Sequence, residues 1–212
     1  LPGEKMERRC RNALTELGVT DPWLMPMDAS SDADLDTVFG KLKEDFRTID
    51  FVVHSIAFAD KNWLEPGKFT ATPREVFVQA MDISAFTYQA MGHRAAELMP
   101  TGGALIALSY YGAEKAIPGY NVMGVAKAAL EATNRYMAME LGAKQIKHGS
   151  SHQDAIPGEF RYTNPSEVDA AEKGHLHPRA NNPGKVYQQG QGVGFFLNDL
   201  GVIDKQEPLQ KT

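Results

Sequence analysis

Apolar residues recur at helical spacing, and in short uninterrupted runs, along the first two-thirds of the chain. Residues 4–17 predict a helix that stops at Gly18. Ser30 or Ser31 can cap a second helix. The apolar face of that helix repeats every three or four residues: Leu35, Val38, Phe39, Leu42 and Phe46. Residues 23–27 between the two helices are a short strand candidate.

The strand and helix patterns alternate further along the chain. Pro26 weakens the claim of residues 23–27 to be a central strand. Apolar runs at residues 49–57 and 104–109 predict buried strands. Residues 72–75 predict the start of a helix that runs to about residue 98. Threonine is its cap, proline lies in the first turn, and glutamate follows the threonine by three positions. Another helix is predicted over residues 120–141.

This order of helix and strand predicts an α/β fold, in which a parallel sheet carries helices on both faces. Ligands of such sheets bind at the carboxyl ends of the strands. The expected site therefore comprises Asp28, residues 55–59 and residues 109–111.

The pattern changes after residue 149. The segment 149–212 is polar and rich in Gly, Pro, Asn and His, and it contains no apolar strand like those upstream. Only residues 192–203 have a composition that could pack. The glycines at 190, 192 and 194 follow no strand, so they are predicted to be loop. We therefore divide the chain into residues 1–148 and an irregular C-terminal segment.

The composition excludes several classes of protein. A net charge of -5 and a pI near 5.7 argue against nucleic acid or an anionic membrane surface as the partner. Cys10 is the single cysteine, so no internal disulfide can form, which suits a reducing, cytoplasmic compartment. No apolar run reaches the length of a membrane span, and the start of the sequence does not resemble a signal peptide. The histidine spacings match no metal site.

Tyr120 and Lys127 are seven residues apart on one predicted helix, so their side chains share a face. A lysine beside a tyrosine hydroxyl favours the phenolate, and a phenol beside a carbonyl can stabilise negative charge on oxygen. Tyr110 leaves the preceding strand and can reach the same space. The alternative is that the tyrosines cap the strand end and Lys127 is solvated.

The segment SYYGAEKAIPGYNVMGVAKAALEA, residues 109–132, resembles the active-site segment of NADH-dependent enoyl-acyl-carrier-protein reductases. These enzymes of bacterial fatty-acid synthesis are a divergent branch of the short-chain dehydrogenase/reductases. DFVVHSIAFADKNWL, MDISAF and MDASSDADLDTVF are similar to other parts of the family. The resemblance extends from about residue 3 to about residue 147. Its most specific element is the pair of Tyr120 and Lys127 with NVMG between them.

The resemblance implies a Rossmann-like doubly wound parallel sheet, here without the first strand and its glycine-rich loop. It implies hydride transfer from NADH to the double bond of a trans-2-enoyl thioester. Tyr120 would hold the enolate oxygen, Lys127 would hold the nicotinamide ribose, and Tyr110 would lie beside the substrate. Residues 155–157 are only faintly similar to the family's next cofactor-binding segment, so no role is transferred to them.

The remaining implied sites are cofactor and acyl contacts. By resemblance, Asp28 with Ala29 lies at the adenine side of the cofactor, and Ser55, Ile56 and Ala57 lie along it. The resemblance also implies that the acyl pocket is lined by Phe58, Tyr110 and Met123. The alternatives are that Asp28 only caps the next helix and that Phe58 and Met123 only pack in the core.

The implied partner is acyl carrier protein carrying the substrate, and the implied assembly is a homotetramer. The alternative function is a non-catalytic homologue that binds a partner or has a structural role, which the missing glycine-rich loop favours. A third hypothesis is a dehydrogenase of the same superfamily acting on a different carbonyl. The Tyr–Lys spacing disfavours this third hypothesis.

Overall fold

A computed structural model of the chain describes residues 4–153 and 160–163. The chain separates into two compact units, Leu1–Arg47 and Thr48–Thr212. The predictions for residues 155–157, 190–194 and 192–203 lie outside the described residues. The predicted division at residues 148 and 149 stays a prediction.

The described part of the first unit contains two α-helices, α1 at Glu4–Glu16 and α2 at Asp32–Phe46. Both helices were predicted, as was the stop at Gly18, whose φ of 82° suits a glycine. Ser31 is the cap of α2, because its side-chain oxygen accepts a hydrogen bond from the backbone N–H of Asp34 at 3.2 Å.

The strand predicted at residues 23–27 is wrong, because no strand forms between α1 and α2. Pro26 lacks the N–H that a sheet ladder needs. Trp23 instead packs on α2: its indole N–H donates to Asp45 at 2.9 Å, and its ring meets Phe46 edge-on at 5.8 Å. Side-chain contacts with a helix thus replace strand pairing.

The second unit is built on a sheet of four described strands in the order β1-β2-β3-β4. They are β1 Phe51–His54, β2 Gly103–Tyr110, β3 Ile146–Gln153 and β4 Phe160–Thr163. β2 pairs in parallel with β1 and β3, and β4 is antiparallel to β3. The predicted α/β class with a parallel sheet is confirmed.

Two strand predictions need correction. We expected no strand after residue 149, but β3 continues to Gln153 because Ile146, His148 and Ser150 are buried while the strand pairs with β2. The strand predicted over residues 49–57 is only four residues long. It lies at the edge of the described sheet, where Phe51 and Val53 are 42% and 40% exposed. It is therefore less buried than its apolar sequence predicted.

The described part of the second unit also contains three α-helices. α3 spans Arg74–Met81, a five-residue π-helical turn follows at Asp82–Phe86, and α4 spans Thr87–Glu97. α5 spans Asn121–Leu141. The predicted helical ranges are confirmed, but the π-helical turn was not predicted. Nor does Thr72 cap α3, because its hydroxyl donates to the carbonyl oxygen of Phe69 at 2.7 Å.

The core between β2, α4 and α5 includes paired polar groups. Tyr88 of α4 donates its hydroxyl proton to Asn134 of α5 at 2.7 Å, and both residues are fully buried. Thr87 donates to the carbonyl oxygen of Ile83, so its single hydroxyl proton is used. His54 of β1 lies 2.8 Å from the same hydroxyl, so its Nε2 must be the donor.

None of the helices within residues 4–153 is both long and apolar enough to cross a membrane.

The buried histidine of β3 gives a pH-dependence prediction. His148 is fully buried, and within the described part of the chain neither ring nitrogen has a hydrogen-bond partner. Burial lowers its pKa from 6.5 to about 4. The unfolded chain therefore binds a proton that the folded chain does not between these pH values. This contribution to stability is complete above about pH 6.5 and is lost as the pH falls towards 4.

We predict that His148→Val makes the free energy of unfolding less dependent on pH in that window. At pH 7 the variant should be more stable by about 1–2 kcal/mol, because two unsatisfied polar atoms are removed. Denaturant unfolding at pH 7 and pH 5 measures both effects. The exposed His93 of α4 provides the control, His93→Gln. Equal pH slopes for wild type and His148→Val would contradict the prediction.

Candidate active site

The parallel pairing of β1 and β2 brings their carboxyl ends to one edge of the sheet. His54, the last residue of β1, is in register with Ala107 of β2. Residues 55–59, which follow β1, and residues 109–111, at the carboxyl end of β2, therefore lie at the same edge. The structure thus places at one edge two of the three segments that the sequence predicted.

A pair of tyrosines stands at this edge. Tyr110 ends β2, Tyr120 directly precedes α5, and their ring centroids are 4.5 Å apart with an interplanar angle of 56°. Gly112 makes this approach possible. A Cβ at that position would lie 2.5 Å from a ring carbon of Tyr120 and 3.1 Å from one of Tyr110. The sequence prediction that the two tyrosines reach the same space agrees with this geometry.

Lys127 lies two turns into α5 and is only 5% exposed. Its ammonium group donates to the carbonyl oxygen of Leu108, near the end of β2, at 2.5 Å. Burial lowers the pKa of Lys127 to about 8, and the carboxylate of Glu131 opposes part of that shift. The alternative that Lys127 is solvated is therefore wrong. A buried lysine with this pKa titrates close to physiological pH.

The proton of Tyr120 is held firmly. Burial, and to a smaller extent the neighbouring Tyr110, raises the pKa of Tyr120 to about 12. The expectation that Lys127 favours the phenolate is thus corrected, because desolvation dominates at this half-buried hydroxyl. Near neutral pH, Tyr120 presents an O–H group that can donate a hydrogen bond.

Ser109 and Glu131 adjoin Lys127. Ser109 is fully buried and donates its hydroxyl proton to the carboxylate of Glu131 at 2.6 Å. Glu131 is one helical turn from Lys127, so it lies on the same side of α5. The sequence reasoning placed Ser109 at the site but missed Glu131, since a carboxylate within a helix usually indicates a solvated face.

The loop after β1 is held by a serine of the π-helical turn. The hydroxyl of Ser84 accepts from the backbone N–H of Phe58 at 2.9 Å and donates to the carbonyl oxygen of Phe58 at 3.0 Å. Ser84 is fully buried, whereas the side chain of Phe58 is 43% exposed. π-Helical turns are frequent at functional sites. The sequence reasoning missed Ser84, because no local pattern distinguishes it from a core serine.

Further predicted contacts lie in and beside this loop. Ser55 and Ala57 are exposed, Ile56 is half-buried, and Met123 of α5 is 7% exposed. Exposed backbone after a parallel strand is accessible to a ligand. The roles predicted for these residues and for Phe58 stay predictions.

Asp28 and Ala29 belong to the first unit. The carboxylate of Asp28 accepts from the backbone N–H of Ser30 at 3.0 Å and from its hydroxyl at 2.7 Å, which lowers the pKa of Asp28. These hydrogen bonds form a turn ahead of α2. The alternative that Asp28 caps α2 is wrong, because Ser31 is the cap. The roles of Asp28 and Ala29 at the adenine side of the cofactor stay predictions.

Asn121 is a second residue that the sequence reasoning missed. It begins α5, directly after Tyr120, with a φ of 23°. Its side-chain amide donates to the carbonyl oxygens of Trp63 at 2.9 Å and Glu65 at 2.8 Å. Asparagine is one of the few residues that tolerate positive φ. An asparagine at the start of the predicted helix was therefore the available sequence signal for this conformation.

Comparison with known proteins identifies the family. Residues 2–175 match the family model described as enoyl-(acyl carrier protein) reductase. The chain belongs to this family. Its fold is accordingly the Rossmann-like α/β fold of the short-chain dehydrogenase/reductases, as the sequence predicted.

Individual relatives agree with this assignment. The chain is 42% identical over 167 residues to enoyl-[acyl-carrier-protein] reductase [NADH] 1 of Rhizobium meliloti, a match that covers 76% of this chain and 60% of the relative. It is 33% identical over 210 residues to the corresponding NADH enzyme of Bacillus cereus, covering 99% of this chain and 70% of that one.

A solved structure is also similar. The enoyl-(acyl-carrier-protein) reductase of Anaplasma phagocytophilum in complex with NAD matches with a TM-score of 0.68 and 37% identity, over 82% of this chain and 63% of that chain. The chain spans 60% and 57% of the length of two of the curated family members it matches.

We predict that Gly112→Ala destabilises the second unit. The added Cβ would collide with both tyrosine rings, and overpacking of this kind costs about 1–3 kcal/mol. Denaturant unfolding measures the loss. Gly40→Ala is the matched control, because a Cβ on the exposed face of α2 meets no atom within 4 Å. If the two variants unfold alike, the close approach of the tyrosines does not depend on Gly112.

Proposed function

We propose that the chain reduces the trans-2 double bond of an enoyl-acyl-carrier-protein thioester, with NADH as hydride donor, in fatty-acid elongation. The close pair of Tyr110 and Tyr120, with the buried ammonium of Lys127 on the helix that begins directly after Tyr120, is the observation that carries this proposal. The names of the relatives support reduction over the non-catalytic alternative, since each describes a reductase using NADH or NADPH.

The residues present fit the nicotinamide and ribose half of NADH. An ammonium group has three N–H donors, and in Lys127 one of them bonds to Leu108. Ribose hydroxyls are suitable acceptors for the others. Ser55, Ile56 and Ala57 would follow the cofactor along the edge of the sheet, and Asp28 with Ala29 would serve its adenine side. When bound, NADH supplies the hydride that adds to the β-carbon of the thioester.

The catalytic contribution of the protein is electrostatic. Charge develops on the thioester carbonyl oxygen as the double bond is reduced, and the O–H of Tyr120 donates a hydrogen bond to that oxygen. The pKa of about 12 keeps this proton on Tyr120 at neutral pH. Tyr110 confines the ring of Tyr120 from one side. Tyr110 therefore both orients the donor and lies beside the substrate.

The acyl chain would contact Phe58, Tyr110 and Met123. The partly exposed ring of Phe58 offers apolar surface at the edge of the sheet, and Met123 can adjust to a flexible chain. The substrate reaches this surface on acyl carrier protein, the proposed partner. We place the protein in the cytoplasm as a homotetramer, following the resemblance and the single cysteine.

We predict that Tyr120→Phe lowers kcat by about 100-fold or more, because one preorganised donor to the developing charge is lost. The phenyl ring still packs on Tyr110, so NADH should bind with nearly unchanged affinity. Steady-state oxidation of NADH with an enoyl thioester measures kcat, and calorimetry measures binding. Tyr136→Phe, a change at an exposed position of α5, is the control. An unchanged kcat in Tyr120→Phe would contradict the assigned role.

We predict that NADH affinity falls as the pH rises through about 8. Lys127 loses its proton in that range, and the neutral amine is a weaker donor to the ribose. Calorimetric titrations on either side of that pH measure the effect. Lys127→Met should abolish the pH dependence and weaken binding at least tenfold, whereas the exposed Lys115→Met should not. Equal affinity for wild type and Lys127→Met would disprove the contact.

A further inference from the structure

Asn121 joins the start of α5 to a loop that is distant in the sequence. Both N–H groups of its side chain are used, one by the carbonyl oxygen of Trp63 and one by that of Glu65. These acceptors lie in the segment that continues from the loop after β1. The contacts therefore connect residues that are 58 and 56 positions apart in the sequence.

The loop at residues 60–65 otherwise has local hydrogen bonds. The carboxylate of Asp60 accepts from the backbone N–H of Asn62 at 2.9 Å, and Lys68 donates to the carbonyl oxygen of Asn62 at 3.1 Å. Lys68 also pairs with Glu65 at 2.6 Å, with both side chains substantially exposed. Exposed ion pairs contribute little to holding a loop. The amide of Asn121 is therefore the main described polar link from this loop to the helix.

The backbone of Asn121 supports a functional role for this link. A φ of 23° is unfavourable for a residue with a side chain, and asparagine bears it better than most. Glycine would relieve the backbone but supply no amide. Aspartate would keep the shape but oppose a carboxylate to two carbonyl oxygens. Among these residues, only asparagine provides two donors together with tolerance of this conformation.

We propose that Asn121 is a positioning residue that ties the loop 60–65 to the start of α5 and thereby fixes Tyr120 relative to the substrate. Tyr120 is bonded directly to Asn121, so the peptide between them sets the direction in which the tyrosine leaves the helix. Gly112 and Tyr110 limit its ring on one side, and the loop fixes the backbone on the other. The catalytic part of this inference rests on the proposed function.

The hold of Asn121 on the loop 60–65 is tested without any ligand. The sequence contains two tryptophans, so in a Trp23→Phe background the fluorescence reports on Trp63 alone, inside the loop. Asn121→Asp and Asn121→Gly are compared in that background by acrylamide quenching. We expect the quenching constant to rise about twofold or more in both, because the loop opens more often. Asn121→Gly relieves the backbone strain at this position, so it remains folded if the aspartate variant does not.

The control for the chemical change is Gln79→Glu, which converts an exposed amide of α3 to a carboxylate. It should leave the quenching constant unchanged. If quenching in both Asn121 variants equals that of the parent, the side chain of Asn121 does not hold the loop and the proposal is overturned.

The catalytic part is tested by separating kcat from cofactor binding. Both Asn121 variants should lower kcat at least tenfold while the Kd for NADH changes by less than about twofold, because Lys127 is untouched. Raised quenching with an unchanged kcat overturns the positioning role. A wild-type chain that binds NADH but does not turn over overturns the proposed function and the catalytic part of this inference. Acrylamide quenching then still shows whether Asn121 holds the loop 60–65.

Discussion

The hydrogen bond from the ammonium of Lys127 to the carbonyl oxygen of Leu108 fastens α5 to the end of β2. A cation that is only 5% exposed is costly unless it has partners, so this bond constrains where the helix can lie. Glu131, one turn further on, adds a favourable charge. Because Tyr120 lies two turns before Lys127, the same constraint determines where the phenol emerges.

Small side chains then allow the surrounding backbone to come close. Gly124 of α5 lies against the carbonyl oxygen of Gly112, where an added Cβ would be 2.8 Å away. Gly112 in turn leaves room for the closely packed rings of Tyr110 and Tyr120. The hydroxyl of Ser84 holds the neighbouring loop by both polar atoms of the Phe58 backbone. The candidate site thus rests on close packing and short polar contacts from three separate parts of the chain.

The sequence predicted those features that depend on local pattern or on a specific motif. The periodicity predicted α1, α2 and α5. The prediction that Tyr120 and Lys127 lie on one helix is corrected, because Lys127 lies in α5 whereas Tyr120 directly precedes it. It did not predict β3, since His148, Gly149 and Ser150 interrupt the apolar pattern and only pairing with β2 makes a strand of them. The raised pKa of Tyr120 was not predicted, because it comes from desolvation, which depends on burial that spacing does not show.

The contacts of Ser84 and Asn121 escaped prediction for a similar reason. Each joins side chain to backbone across more than 20 residues, so neither leaves a periodic or short-range signature. The π-helical turn that contains Ser84 likewise arises inside an apparently regular helical pattern. Tertiary contacts of this kind decide the geometry of the site once local structure has placed its elements.

Following the hydride itself is the most direct test of enoyl-thioester reduction by this protein. The full 212-residue chain is incubated with an enoyl-acyl-carrier-protein thioester and NADH deuterated at the hydride-bearing carbon, and the product is analysed by mass spectrometry. Hydride transfer from NADH to the β-carbon predicts a saturated acyl thioester with deuterium on that carbon. A saturated product without deuterium, an alcohol formed by reduction of a carbonyl, or unchanged substrate under conditions where NADH binds would contradict it.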